Sequence, residues 1–226
     1  MTAATLGLAA GVLQAMAYMI YVVQVVRAEC RPNGMTWLMW SYGTLVLLII
    51  EWDVGAPISI LILPAVCSVC SLFVAGYAFA RSAYIAPDRQ DWAVLGLDVL
   101  ILAGYVVFAH GIAASAETAA TAAPDVDKSM VFVFLTGATT LTSSWPILRT
   151  TFLEPGHERP AAWFVWCAAY AAMGAAMILE GLSWQYGVYP VLSFAIHLAI
   201  GIFAVNRHKT PISATVGRPS TRHPRP

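Results

Sequence analysis

The segment PAVCSVCSLFVAGYAFAR, residues 64–81, is followed 126 positions later by PVLSFAIHLAIGIFAVNR, residues 190–207. Both segments begin with proline and end with arginine. Other identities at this offset, which needs no gap, include Leu72/Leu198, Ala78/Ala204, Trp37/Trp163, Trp40/Trp166 and Gly55/Gly181. Internal duplication of apolar segments is typical of transporters, in which a solute site forms between the two repeats.

The composition indicates a polytopic helical membrane protein. Hydrophobic residues make up 59% of the chain and charged residues only 11%, whereas a soluble domain of this length needs far more polar surface. No basic region precedes the first apolar run, so we do not expect a cleaved signal peptide. Cys67 and Cys70 have CxxC spacing but no second cluster, and we interpret them as small residues on a helix surface.

Seven apolar segments are long enough to cross a bilayer, which takes about 20 helical residues. They lie at residues 5–27, 35–52, 57–80, 91–110, 129–149, 161–182 and 187–205. Charged or turn-forming stretches separate most of them. The Ala-, Thr- and Ser-rich residues 111–127 are predicted to be a flexible connection, and the polar residues 208–226 a disordered tail.

The basic residues predict the orientation. Eleven of the twelve Lys and Arg residues lie in the tail or at the connections one–two, three–four and five–six. Only Lys128 lies on the other side, beside Asp125 and Asp127. Because basic residues accumulate on the cytoplasmic side, we predict an outside N-terminus and a cytoplasmic C-terminus, in a plasma or inner membrane.

The offset pairs the first three spans with the last three and leaves the fourth unpaired. Three crossings reverse the chain direction and the lone fourth helix restores it, so the repeats are predicted to be parallel, about an axis along the membrane normal. The predicted units are a first three-helix repeat at 5–80, a linker helix at 91–110, a second repeat at 129–207 and the tail at 208–226.

The turns after the first and fifth spans carry a family resemblance. YVVQVVRAECRPNGMTW at residues 21–37 resembles the end of the first helix and the basic turn of SWEET and PQ-loop transporters, and SWPILR at 144–149, continuing to RPAAW at 159–163, is the second copy. The resemblance covers roughly residues 10–207. It implies a seven-helix, solute-moving protein that works by alternating access. Sugar-transporting members carry Asn after the prolines of the third and seventh helices, whereas Ala65 and Val191 stand here, which argues against a sugar.

Proline and tryptophan are the candidate gating residues. Pro64, Pro190 and Pro146 each remove a helical hydrogen bond and let a helix bend. Trp37 and Trp163 lie near the predicted cytoplasmic interface. They are either interfacial anchors or parts of a gate or pocket wall.

Polar groups within the spans are the candidate binding or coupling residues, because an ionisable group inside a bilayer is costly. His197 lies near the middle of span seven and Asp98 about two turns into span four. His197 either binds solute or couples protons, or is a structural imidazole bonded to a backbone carbonyl. Gln14, Tyr18 and Tyr21 share one face of span one and are expected to look into the bundle. Glu51 and Glu180 are interpreted as solvated rim residues.

Other classes of protein fit the sequence less well. A retinal protein needs a Lys in its last span, and span seven has none. The histidines are scattered, which argues against an enzyme or a metal site, and we expect no cofactor and no nucleic-acid partner. The expected partners are the lipid bilayer and an unidentified small-molecule solute, while a homo-oligomer stays open. The alternative to a transporter is a seven-helix ligand or cargo receptor on the same scaffold.

Overall fold

The computed structural model describes residues 2–53, 55–118 and 128–206. Within these residues the fold is all-α, as predicted, and contains no strand. The α-helices are α1 (Ala3–Val26), α2 (Gly34–Asp53), α3 (Ile58–Ala80), α4 (Arg89–Thr118), α5 (Lys128–Leu153), α6 (Pro160–Leu179) and α7 (Val188–Asn206). Two short 3₁₀ helices, Pro155–His157 and Trp184–Gly187, precede α6 and α7.

Each predicted span contains one helix, and most of the ends agree closely. The largest difference is at α4, which was expected to end at residue 110 and continues to Thr118. The Ala-rich sequence there favours helix, because Ala has the highest helix propensity. The rest of the predicted connection, 119–127, residue 207 and the predicted tail, 208–226, lie outside the described residues.

Six of these helices are long and apolar enough to cross a membrane. The helix not among the six is α5, whose sequence is rich in Thr and Ser. The outward faces of the six helices are apolar. On α1, for example, Leu8, Val12, Met16 and Met19 are about half exposed or more. Apolar side chains on that scale face lipid rather than water. The chain is therefore an integral membrane protein.

The helices pack in a regular order. Helix α3 packs against α1 and α2, and α7 packs against α5 and α6. The two groups meet where α1 packs on α6 and α2 packs on α5, while α4 lies mainly against α5. Buried polar residues such as Gln14, Thr44 and Ser144 lie on the helices that meet there, in contrast to the apolar outward faces.

The connections 27–33, 81–88 and 154–159 meet at one end of the bundle, here called the basic end. The backbone N–H of Arg31 donates to the carbonyl of His157 at 2.9 Å, and that of Ile85 donates to Pro32 at 2.9 Å. Arg149 pairs with Asp88 at 2.7 Å. These contacts tie the three connections together and close this end of the bundle.

Substitution of Gly7 by Ala is expected to lower the melting temperature, because α1 and α3 approach closely there. A Cβ at this position would lie 2.1 Å from the carbonyl oxygen of Ser59, so the helices would have to separate, at a cost of about 1–3 kcal/mol. The matched control is Gly76→Ala in α3, where a Cβ meets nothing within 4 Å. Thermal unfolding in detergent measures both variants, and equal melting temperatures would contradict the close packing.

Candidate functional site

A cavity of about 50 Å³ lies between α2 and α5, with α3, α4, α6 and α7 completing its wall. We call it the central cavity. Its hydroxyl-bearing lining residues are Thr44, Thr136, Thr139, Thr140, Ser143, Ser144, Ser193, Tyr170 and Tyr189. Since one water needs roughly 10–15 Å³ on this measure, the cavity holds only a few waters or a very small solute in this closed arrangement.

Asp98 supplies the acidic group of the described cavity wall. Its side chain is fully buried. The Tyr42 hydroxyl of α2 donates to Oδ2 at 2.5 Å, and the Thr142 hydroxyl of α5 donates to Oδ1. The carboxyl group therefore holds the α4 helix against both neighbouring helices and also faces the cavity.

His197 also lines the cavity, from the middle of α7. Its Nδ1 lies 2.6 Å from the carbonyl oxygen of Ser193. A carbonyl only accepts, so Nδ1 carries the proton and Nε2 of the neutral ring is a hydrogen-bond acceptor. The ring stacks on Trp40 with centroids 5.4 Å apart and planes at 20°. His197 thus combines the structural bond to a carbonyl with a place in the cavity wall.

Six aromatic side chains separate the cavity from the basic end. This aromatic layer consists of Tyr18, Tyr21, Trp37, Trp40, Trp163 and Trp166. Ring centroids lie 4.8 Å apart for Tyr21–Trp37, 5.9 Å for Tyr21–Trp163 and 6.0 Å for Trp37–Trp166. Trp37 and Trp163 are fully buried, so the interpretation of these two as lipid-interface anchors is wrong. They contribute instead to a wall that spans α1, α2 and α6.

The polar face of α1 is buried, as predicted, but it does not line the cavity as a unit. The Tyr18 hydroxyl lies 2.7 Å from Ser71 Oγ and 3.1 Å from Cys67 Sγ. Gln14 is buried beside Tyr170. Tyr18 and Tyr21 belong to the aromatic layer, and Gln14 lies behind one of the cavity-lining tyrosines.

The three candidate prolines differ in position. Pro64 and Pro146 lie inside α3 and α5, whereas Pro190 is in the first turn of α7. The carbonyl of Pro64 accepts from the Ser68 hydroxyl at 2.8 Å, and that of Pro146 from Thr150 at 2.9 Å. A gating role for these prolines stays a prediction.

The two glutamates assigned to the rim behave differently. Glu180 is exposed and accepts from the Ser59 hydroxyl at 2.9 Å, as expected of a rim residue. Glu51 is fully buried, so its description as solvated is wrong. It follows Thr44 and Leu47 at helical spacing on α2, and that face turns into the bundle.

The cysteines form no cluster. All four are free, and no group of His, Cys, Asp or Glu within the described residues has metal-binding geometry. Cys67 contacts the Tyr18 hydroxyl as a packed, buried side chain.

Sequence reasoning missed Glu158, in the connection before α6. The residue is 2% exposed, and its carboxyl group accepts from the Tyr21 hydroxyl at 3.0 Å and from Trp163 Nε1 at 3.1 Å. Glu158 lies in a charged turn, directly before the N-cap residue Arg159 of α6. Nothing local in the sequence distinguishes this buried group from a solvated cap.

Comparison with known proteins gave no match to a family model, a curated protein or a solved structure.

Proposed function

We propose that this protein is a membrane transporter that moves a small solute by alternating access between two parallel three-helix bundles. The observation that carries the proposal is the central cavity, which lies where α2 and α3 face α5 and α7. It contains an acid, an imidazole and many hydroxyls among helices that are long and apolar enough to cross a membrane, where polar groups are costly and so are expected to be functional.

The helix bounds support the repeat. Shifting α2 by 126 residues gives residues 160–179, the bounds of α6, and shifting α3 gives 184–206, which covers the second 3₁₀ helix and α7. Gly55 and Gly181 have φ of +76° and +68°. Their N–H groups donate to Trp52 and Ile178, again equivalent positions. Both helices thus end in the same left-handed turn, which favours glycine.

The packing order supports two equivalent bundles. In each, the third helix packs against the first and second, and the first helix of each bundle packs against the second helix of the other. Pro64 precedes cavity-lining Cys67 by three residues, just as Pro190 precedes Ser193. This pairing, together with the resemblance to SWEET and PQ-loop transporters, favours two bundles that rock about the cavity.

We propose that the basic end faces the cytoplasm, since Arg27, Arg31, Arg81, Arg149 and Arg159 lie there. A cysteine at Ser82, which is exposed at this end, is expected to react with an impermeant thiol reagent only after the cytoplasmic face is made accessible. Inverted and right-side-out vesicles are compared in a background without the native cysteines. Labelling in right-side-out vesicles but not in inverted ones would reverse the assigned orientation.

The lining favours a solute that donates hydrogen bonds. Of the described lining residues none is Lys or Arg, so an anion would find no counter-charge. Asp98 and the Nε2 atom of His197 are acceptors, and the hydroxyls serve in either role. A neutral or cationic solute with N–H or O–H groups therefore fits best.

The decisive experiment is flux into liposomes that contain the purified protein. A panel of small solutes is first screened by thermal shift, and the solutes that stabilise the protein are then offered for uptake. We expect saturable uptake above that of empty liposomes. Binding without uptake would support the receptor alternative.

A further inference from the structure

Glu158 joins the two bundles beneath the aromatic layer. One carboxyl oxygen accepts from Tyr21 of α1 at 3.0 Å, and the other accepts from Trp163 of α6 at 3.1 Å. Tyr21 also packs on Trp37 of α2. A single carboxyl group is therefore bonded to both bundles at the end where the cavity is closed.

No cation among the described residues pairs with this carboxyl group. Arg159, the next residue, pairs with Glu29 at 3.9 Å, and His157 contacts Glu154 at 3.3 Å. The other titratable neighbours are Tyr21 and Cys30, from α1 and the connection after it. Neither supplies positive charge. A buried carboxylate without a cation is unfavourable, and such groups hold a proton instead.

The electrostatic balance agrees with this geometry. Burial raises the pKa of Glu158 from 4.5 to about 8, and the hydrogen bonds from Tyr21 and Trp163 only partly oppose it. The group is therefore largely protonated at neutral pH while the basic end is closed. The Tyr21 hydroxyl can accept as well as donate, so the protonated carboxyl keeps its partner.

We propose that Glu158 is a proton-binding site that locks the basic end of the transporter: the protonated carboxyl holds the two bundles closed, and loss of the proton to cytoplasmic water favours opening. The gating role of this proton site rests on the proposed transport function. In the open arrangement the carboxyl reaches water and its pKa returns toward 4.5. The closed state therefore binds the proton more tightly, and alkaline cytoplasm shifts the balance toward the open state.

The accessibility of Cys30 tests the lock without any solute. Cys30, in the connection after α1, is a free, buried thiol that neighbours Glu158, and the other three cysteines are replaced by Ala. Alkylation is measured for this protein and for its Glu158→Gln variant, which mimics the protonated carboxyl. The control is Glu154→Gln, in the same connection but exposed.

We expect equal alkylation rates for the parent and Glu158→Gln at about pH 6. At about pH 9.5 the parent should react at least about tenfold faster than Glu158→Gln. Each pH unit above the pKa of Glu158 shifts the parent's equilibrium toward the open state by up to tenfold, whereas Gln does not titrate. The direct effect of the charge has the opposite sign. Burial raises the pKa of the Cys30 thiol, and ionised Glu158 raises that pKa further, which slows alkylation. Glu154→Gln should behave as the parent.

Stability gives a second measurement. Because the pKa is raised in the folded protein, the stabilisation by Glu158 is complete below about pH 4.5 and is lost as the pH rises through about 8. The melting temperature should fall over that window in the wild type and not in Glu158→Gln.

If the ratio of the Cys30 alkylation rates of the parent and Glu158→Gln does not change with pH, the proton site is overturned, even where solute flux is found. If that ratio changes with pH but the protein moves no solute, the proton site is supported and its role in transport is excluded.

Discussion

Replacement of His197 by Phe is expected to reduce solute flux by at least about tenfold with little change in melting temperature. Phe keeps a flat ring against Trp40, which lies 5.4 Å from the imidazole between centroids, and a volume-conserving exchange costs less than about 1.5 kcal/mol. It removes the Nε2 acceptor from the cavity wall. If the lost hydrogen bond stabilises the transition state for transport by about 1.4 kcal/mol, its removal lowers the rate about tenfold.

The bond from Nδ1 to Ser193 does not decide stability. In α7 that carbonyl already accepts the helical N–H of residue 197, four positions on. Its oxygen therefore stays satisfied when the imidazole is removed.

His197→Ala is the control for packing. It leaves a space beside four aromatic rings, those of Trp40, Trp163, Trp166 and Tyr170. Loss of an aromatic side chain of this kind costs about 3–5 kcal/mol. Unfolding of both variants in the same detergent, beside flux in liposomes, separates packing from binding. Full flux in His197→Phe would show that the ring, and not its nitrogen, is what the protein needs.

The helices could be predicted from the sequence because their signals are local. Apolar runs of about 20 residues, separated by charged turns, specify where helices start and stop in lipid. The constant offset between Trp37 and Trp163 also predicted that these residues occupy related places. Both are buried in one aromatic layer.

The site was less predictable because burial in a bundle depends on partners far along the chain. In the sequence both Glu51 and Glu180 are acids near the end of an apolar span. In the structure Glu51 faces the interior and Glu180 the surface. Glu158 contacts Tyr21, 137 positions away. Helical periodicity gives the face that a residue occupies, but not which helix covers that face.

Asp98→Asn is expected to reduce flux by at least about tenfold while the protein keeps nearly its full stability. The amide can replace both bonds of the carboxyl group: its oxygen accepts from Tyr42, and its NH₂ group donates to the hydroxyl of Thr142. That hydroxyl in turn has the carbonyl of Ala138 within 3.0 Å. What the variant removes is one acceptor oxygen of the carboxyl group, which becomes an NH₂ donor, and with it the ability to ionise beside a cationic solute; hydrogen bonds to an ionised acceptor are about twice as strong as neutral ones.

Asp98→Leu separates binding from the attachment of α4. It removes the acceptor of the Tyr42 hydroxyl, a half-buried donor; since a buried donor left without a partner costs about 1–3 kcal/mol, this variant should lose stability, toward the lower end of that range, as well as flux. Tyr42→Phe removes only that hydroxyl and is expected to retain flux. Melting temperatures and initial uptake rates are measured for all three variants at equal amounts of folded protein. Wild-type uptake by Asp98→Asn, with reduced stability in Asp98→Leu, would make Asp98 an attachment point for α4 and leave His197 and the hydroxyls to bind the solute.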